Sequence, residues 1–234
     1  MKTRELRLLC DPNPMCFGST GALLAVLDHV DARRIAMGSG VAGELLSVDP
    51  AVDVWLDVDV KEVGAVERVL NERQLDAVLV ISNTANLATY KQHGIPVFFV
   101  DLLYWLGGNK GRDRAALLEA EFAPAFPGVR ERAAALANET DVFVVGPLLR
   151  ATRQRHTGPR SGALIHLGGA ASRWVKPGEN SRFASMALGW LAAATPLLPM
   201  PRHVAVGRAG AAEGREAAAR LEASIGPLPQ LALL

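Results

Sequence analysis

Only two cysteines, Cys10 and Cys16, occur in 234 residues. They stand too near one another to staple a scaffold and match no zinc-ligand spacing, so a disulfide framework is excluded and a reduced, cytoplasmic compartment is expected. An excess of either charge is also missing. The 25 lysines and arginines against 24 aspartates and glutamates leave a net charge of +1. No basic stripe interleaves with aromatics, which argues against nucleic-acid partners. No apolar run approaches the roughly 20 residues of a membrane span. The start, Met1 to Arg7, leads into an apolar stretch far short of a signal-peptide core. His29, His93 and His203 are scattered without metal-ligand spacing, and His166 lies inside an apolar run, so no metal site is expected. A Gly-x-Ser-x-Gly elbow is absent, and Cys10 on a buried strand makes a poor nucleophile.

What is present is apolar. Half the residues are hydrophobic and 21% are charged, a balance that suits a buried-sheet α/β protein and not a disordered one. Short apolar runs alternate with longer helical patterns, which predicts a parallel sheet covered on both faces. The first run, Leu6 to Cys10, breaks at Asp11-Pro12-Asn13-Pro14, where two prolines oppose both helix and central strand. A helix is expected from Ala22 to Val30, opened by Gly18-Ser19-Thr20-Gly21. Further strands are predicted at Arg34–Met37 and Val52–Asp57, with helices near Ala42–Leu46 and Lys61–Gln74. The clearest unit is a strand at Asp76–Ile81, a turn and cap at Ser82-Asn83-Thr84, a helix at Ala85–His93, then a strand at Ile95–Val100. Gly94 at the helix end and Pro96 at the strand entrance suit those places. Two helices, Arg112–Phe122 and Val129–Asn138, and a strand at Asp141–Val145 follow. The segment 150–161, basic and broken by Gly-Pro, reads as a linker. After it come a strand at Ala163–Leu167, a helix at Ser181–Ala194, a strand at His203–Val206, a helix at Ala209–Ser224 and a further strand start at Leu231.

Ligands of open parallel sheets lie at the carboxyl ends of the strands, so those loops are the ones to read. Phe17, Gly18, Ser19, Thr20 and Gly21 form the first, with small residues that leave backbone N–H groups open at a helix start. Its glycines fit neither Gly-x-Gly-x-x-Gly nor a Gly-Lys-Ser/Thr loop; the plain alternative is a helix cap with packing glycines. Gly38-Ser39-Gly40 lacks the acid that a dinucleotide domain places there, and a turn of unusual φ explains it better. Ser82 and Asn83 offer hydrogen bonds but are ordinary turn residues too. Asp101, followed by Tyr104 and Trp105, puts an acid beside rings that stack on a sugar or base, or that simply form a core pair. Gly168 and Gly169 permit close approach of a diphosphate.

In order and spacing the chain resembles GT-B glycosyltransferases. The resemblance rests on the opening strand, small-residue loop and helix; on Asp76-Ala-Val-Leu-Val-Ile with Gly94-Ile95-Pro96-Val97; on the strand into Val145-Gly146-Pro147-Leu148; and on Ala163-Leu-Ile-His-Leu-Gly168-Gly169. The Pro14 to Gly21 loop is similar to that of bacterial cytosylglucuronate synthases, which join cytosine to glucuronate from UDP-glucuronate. The resemblance implies a Rossmann-like acceptor domain at 1–149, a linker at 150–161, and a donor-binding domain at 162–234 that is incomplete and leaves the chain weak or inactive alone. It implies a UDP-sugar and a small-molecule acceptor as substrates, no cofactor, Asp101 as base or acceptor anchor, residues 17–21 facing the cleft, and Gly168 and Gly169 at the donor. Two rivals stand beside it. A sugar-nucleotide epimerase shares the plan but needs paired acid and base groups. A silent α/β binding module is the other, since an exposed half-sheet invites a partner or a second copy.

Overall fold

Strands with apolar side chains on both faces need cover above and below, and the first part of the chain supplies it. The structure, a computed structural model, describes residues 4–14, 17–59, 62, 64–104, 112–135, 141–150, 163–166, 186, 189, 202–206 and 231–233. Two units emerge, Met1–Gln154 and Arg155–Leu234. The first runs β1 (Arg7–Pro12), α1 (Phe17–Leu27), β2 (Arg33–Gly38), α2 (Val41–Leu46), β3 (Val54–Asp57), α3 (Ala65–Glu72), β4 (Ala77–Ile81), α4 (Leu87–Gln92), β5 (Val97–Val100), α5 (Arg112–Ala115), β6 (Ala120–Pro124), α6 (Val129–Ala135) and β7 (Val142–Val145). All seven strands are parallel, in the order β3-β2-β1-β4-β5-β6-β7. This is the Rossmann-like α/β sheet that the alternation of apolar runs and helical patterns implies.

The period of two along each strand sorts the core into two layers. Val78 and Val80 of β4 join Leu9, Met37 and Phe99 beneath Val66, Val69 and Leu70 of α3 and Leu87 and Tyr90 of α4. Leu79 and Ile81 point the other way, with Cys10, Ala36 and Val100, beneath Leu23 and Leu27 of α1 and Ala42 and Leu46 of α2. Cys10 is fully buried, and desolvation pushes its thiol up, so it stays a packing group.

Four expectations need correction. The first strand does not break at Asp11 but runs through Pro12. Its ladder to β2 stops at Cys10↔Ala36, while that to β4 continues to Pro12↔Ile81. A residue without an N–H is tolerated because it ends the strand after the pairing with β2 has ceased. The helix expected at 112–122 stops at Ala115, and a strand follows at 120–124. Glu121 disguised that strand: Glu is rare in strands, yet here it is buried against Arg114. Helix α1 begins at Phe17, five residues before Ala22, so Gly18 to Gly21 form its opening turn and not a loop. The N-cap of α4 is Asn86, with no side-chain cap bond, so Ser82-Asn83-Thr84 is a turn and not the cap.

In the second unit β8 (Ala163–His166), β9 (Arg202–Val206) and β10 (Leu231–Leu233) form a parallel sheet in the order β10-β9-β8. The helix expected at 209–224 lies outside the described residues, as does that at 181–194 apart from Met186 and Gly189, which are helical. Among the described residues no helix is long and apolar enough to cross a membrane.

Candidate functional site

The strand order reverses between β1 and β4, and that switch point opens a crevice at the carboxyl ends of the strands. Beneath it sits Asp11, fully buried. Tyr90 donates its hydroxyl to Oδ2 at 2.6 Å, Asn83 donates Nδ2 to Oδ1 at 2.8 Å, and Asn86 donates Nδ2 to Oδ2 at 3.4 Å. Burial pushes the Asp11 carboxyl above its usual range, and the three donors pull it back down without cancelling the rise. Above this layer Ser82 ties three strand ends together. Its carbonyl accepts Nδ2 of Asn13 at 3.2 Å, its hydroxyl accepts the N–H of Leu102 at 3.2 Å, and its own N–H donates to Val100 O at 2.9 Å. Ser82 is also the one non-glycine with positive φ (53°) among the described residues, a conformation held only where surroundings over-determine it.

A second polar group closes the end of β5. Arg114 reaches Asp101 Oδ2 at 2.5 Å and also bonds Oε1 of Glu121, which is fully buried. Its guanidinium lies 4.5 Å from the Phe99 ring centroid, a cation–π contact that suits a planar cation in a half-dry site. The other oxygen of Asp101 accepts the N–H of Leu103 at 2.9 Å. Burial raises the Glu121 carboxyl, with Arg114 as the main opposing pull.

A cleft of about 730 Å³ lies beside α1, lined by Gly18, Gly21, Ala22 and Leu24 of that helix, by Leu45 and Asp49, and by the chain after β5, β6 and β7. One wall is anchored from far along the sequence. Arg150 grips Asp28 with Nε and Nη2 at 3.2 and 3.0 Å, and Asp49 with Nη1 at 2.6 Å. A planar guanidinium serves two carboxylates at once, which lysine's point charge does not. With these side chains 24% and 15% exposed, Arg150→Ala is expected to lower stability by about 1–3 kcal/mol, between the exposed and buried limits. Adding Asp49→Asn is expected to restore part of the loss by removing one of the two negative charges that the guanidinium had faced. Urea melts of the wild type and both variants check this, and a loss no smaller in the double variant contradicts it.

The residues singled out from sequence divide accordingly. Gly18 and Gly21 line the cleft. Ser19 and Thr20 are buried, Ser19 donating its hydroxyl to Asn13 O at 2.7 Å. The Asn83 amide is engaged at both ends, by Asp11 and by the N–H of Ala85. Ser82 knots the strand ends, and Asp101 holds its own loop and Arg114 together. Trp105, Gly168, Gly169 and the side chain of Phe17 lie outside the described residues. Gly38, at φ 151°, holds a backbone conformation that L side chains rarely adopt, as the expected turn of unusual φ requires. Gly40, at φ 60°, needs the freedom of glycine. Sequence reasoning missed Asp11, Tyr90, Arg114, Glu121 and Arg150, whose partners lie up to 122 residues away. Among the described residues no cluster of His, Cys, Asp and Glu could hold a metal ion.

No family model and no curated protein matches the chain. Solved structures do. A UDP-glucosyltransferase from Polygonum tinctorium capable of glucosylating indoxyl superposes with TM-score 0.58 at 14% identity, covering 100% of this chain and 72% of that one. UDP-N-acetylglucosamine 2-epimerase from Rickettsia bellii gives 0.57 at 14% identity, covering 99% and 69%. MurG from Acinetobacter baumannii gives 0.54 at 14% identity, covering 98% of this chain and 66% of that one. The chain thus spans about two thirds of the length of these proteins. At such identity the likeness establishes the fold, which is that of the GT-B group.

Proposed function

We propose that the protein is a nucleotide-sugar glycosyltransferase whose first unit, about residues 1–149, takes a small-molecule acceptor, and whose segment from 162 takes a UDP-sugar without a cofactor. The observation that carries this reading is the open cleft along the glycine-bearing start of α1, at the strand ends of a sheet whose fold is shared with UDP-sugar enzymes. Fold alone supports a function only by analogy, so the site must agree, and two features do. The end of β2 is Gly38-Ser39-Gly40, without the acid that a dinucleotide's ribose would need. The start of α1 offers small residues at a helix N-terminus, where donors face developing negative charge. The narrower transfer of glucuronate to cytosine rests on the Pro14–Gly21 segment alone. Asp101, with both oxygens engaged, fits an anchor of the β5 loop better than a general base.

A 2-epimerase shares the fold at nearly the same TM-score, and the cleft separates the two readings. Among its described lining residues Asp49 is the one carboxylate, and Arg150 already holds it, so these residues supply no acid–base pair. The test incubates the full chain with UDP-glucose, UDP-N-acetylglucosamine and UDP-glucuronate, with and without phenolic and cytosine acceptors, and measures UDP release and sugar epimerisation. Acceptor-dependent UDP release is expected. An epimerised sugar nucleotide formed without acceptor would favour the rival enzyme, and inert mixtures would favour a binding module.

A further inference from the structure

The character of the cleft says what kind of molecule it takes. Leu24, Leu45, Leu102, Phe126, Pro147 and Leu149 supply walls, and Phe126 and Leu149 stay 50% and 67% exposed. Its two charged residues, Asp49 and Arg150, face each other at 2.6 Å, and Arg150 also holds Asp28, so the guanidinium is engaged by the protein's own carboxylates. Gly18 and Gly21 add a second observation. Both lie in the opening turn of α1 without positive φ, so backbone conformation does not require glycine at either place. Among the described residues a Cβ on either would meet nothing within 4 Å. Among the described residues none uses the room they leave, and the same two residues border the cleft.

Resting on the transferase reading, we infer that the acceptor is an apolar molecule, an aromatic or branched aliphatic body bearing one nucleophilic hydroxyl or amine, and not a nucleobase or sugar. The volume lies within the range of about 300–1,000 Å³ common for small-molecule pockets. Of the described lining side chains only Asp49 and Arg150 are polar, and they hold each other, so a nucleobase would find few side-chain partners for the polar groups it buries, which is unfavourable. In the transfer the acceptor's oxygen or nitrogen bonds to the anomeric carbon as the bond from that carbon to the diphosphate oxygen breaks. UDP leaves with the electron pair of the broken bond, and the proton of the acceptor's hydroxyl or amine passes to solvent water.

The experiment titrates the full chain calorimetrically with 4-pentylphenol, phenol and cytosine, and separately with UDP. Affinity is expected to rise at least tenfold from phenol to 4-pentylphenol, with cytosine weaker than both. Gly21→Leu, which fills the cleft, is expected to weaken 4-pentylphenol at least tenfold. Gly21→Ala is expected to melt no lower than the wild type. Leu149→Asp, at an exposed position that folding tolerates, is expected to weaken 4-pentylphenol as well. Cytosine binding tighter than the phenols overturns the inference. So does 4-pentylphenol affinity indifferent to both Gly21→Leu and Leu149→Asp, which would place the probe elsewhere, such as the apolar pocket of Val26, Phe98 and Phe122. Binding of 4-pentylphenol with silence toward UDP upholds the apolar cleft while removing the transferase reading.

Discussion

Asp11→Ala is expected to cost about 3–5 kcal/mol, since it strands buried donors at roughly 1–3 kcal/mol each. Against a total stability of about 5–15 kcal/mol, that lowers the midpoint of thermal unfolding by on the order of 10 °C. Two of the donors, Tyr90 and Asn83, are close and buried, so the loss falls mainly on them. Tyr90→Phe alone removes one donor and leaves the carboxylate with two. The double variant should therefore lose less than the sum of the singles by about 1 kcal/mol or more, because the phenyl ring introduced by Tyr90→Phe carries no hydroxyl to be orphaned. Additive losses would mean that the pair is not coupled. The dependence on pH has a definite sign. Burial raises the Asp11 carboxyl in the folded protein, so above about pH 4, the unfolded value, the folded state keeps a proton that the unfolded chain has lost. Stability from this site then falls as pH rises through that window. The wild type's advantage over Asp11→Asn should accordingly narrow from pH 4 upward, and a widening advantage would contradict the assignment.

Arg114→Met is expected to be of similar size, about 3–5 kcal/mol, the usual cost of breaking a buried ion pair. Glu121 is wholly enclosed and would lose its main compensating charge. Burial already raises its carboxyl, and without Arg114 the rise grows. The folded variant would then hold a proton above about pH 4.3 that the unfolded chain releases, so its deficit should deepen from pH 5 to pH 8. Arg114→Met combined with Glu121→Gln should recover part of the stability and flatten that dependence. A deficit equal at both pH values would show that the ion pair does not govern this corner of the sheet.

The parts of this fold legible in the sequence are those whose causes are local. Val78 to Ile81 and Val97 to Val100 read as buried strands because apolar runs stand between punctuating residues. Gly94, at φ 69°, ends the intervening helix as glycine should. Strand β6 was hidden because Glu121 is made tolerable by Arg114, a fact of tertiary contact. The start of α1 was hidden because glycines at 18 and 21 argue against helix locally and are overridden by packing of Leu23 and Leu27 onto the sheet. Asp11 looked like the edge of a turn, since its meaning depends on Tyr90, 79 residues on. Arg150 looked like the first residue of a basic linker, and its two aspartates lie 122 and 101 residues back. Of the candidate cleft, the small residues Gly18 and Gly21 stand out in the sequence, although as a loop and not as a helix turn, and the apolar walls do not, because the chain after β5, β6 and β7 contributes only a few residues at each place.

Calorimetric titration of the full chain with UDP, with NAD as the comparison, addresses the nucleotide-sugar assignment most directly. UDP is expected to bind saturably at one site while NAD gives no heat beyond dilution. Saturable NAD binding with no response to UDP would contradict it and return the sheet to the dinucleotide-binding class.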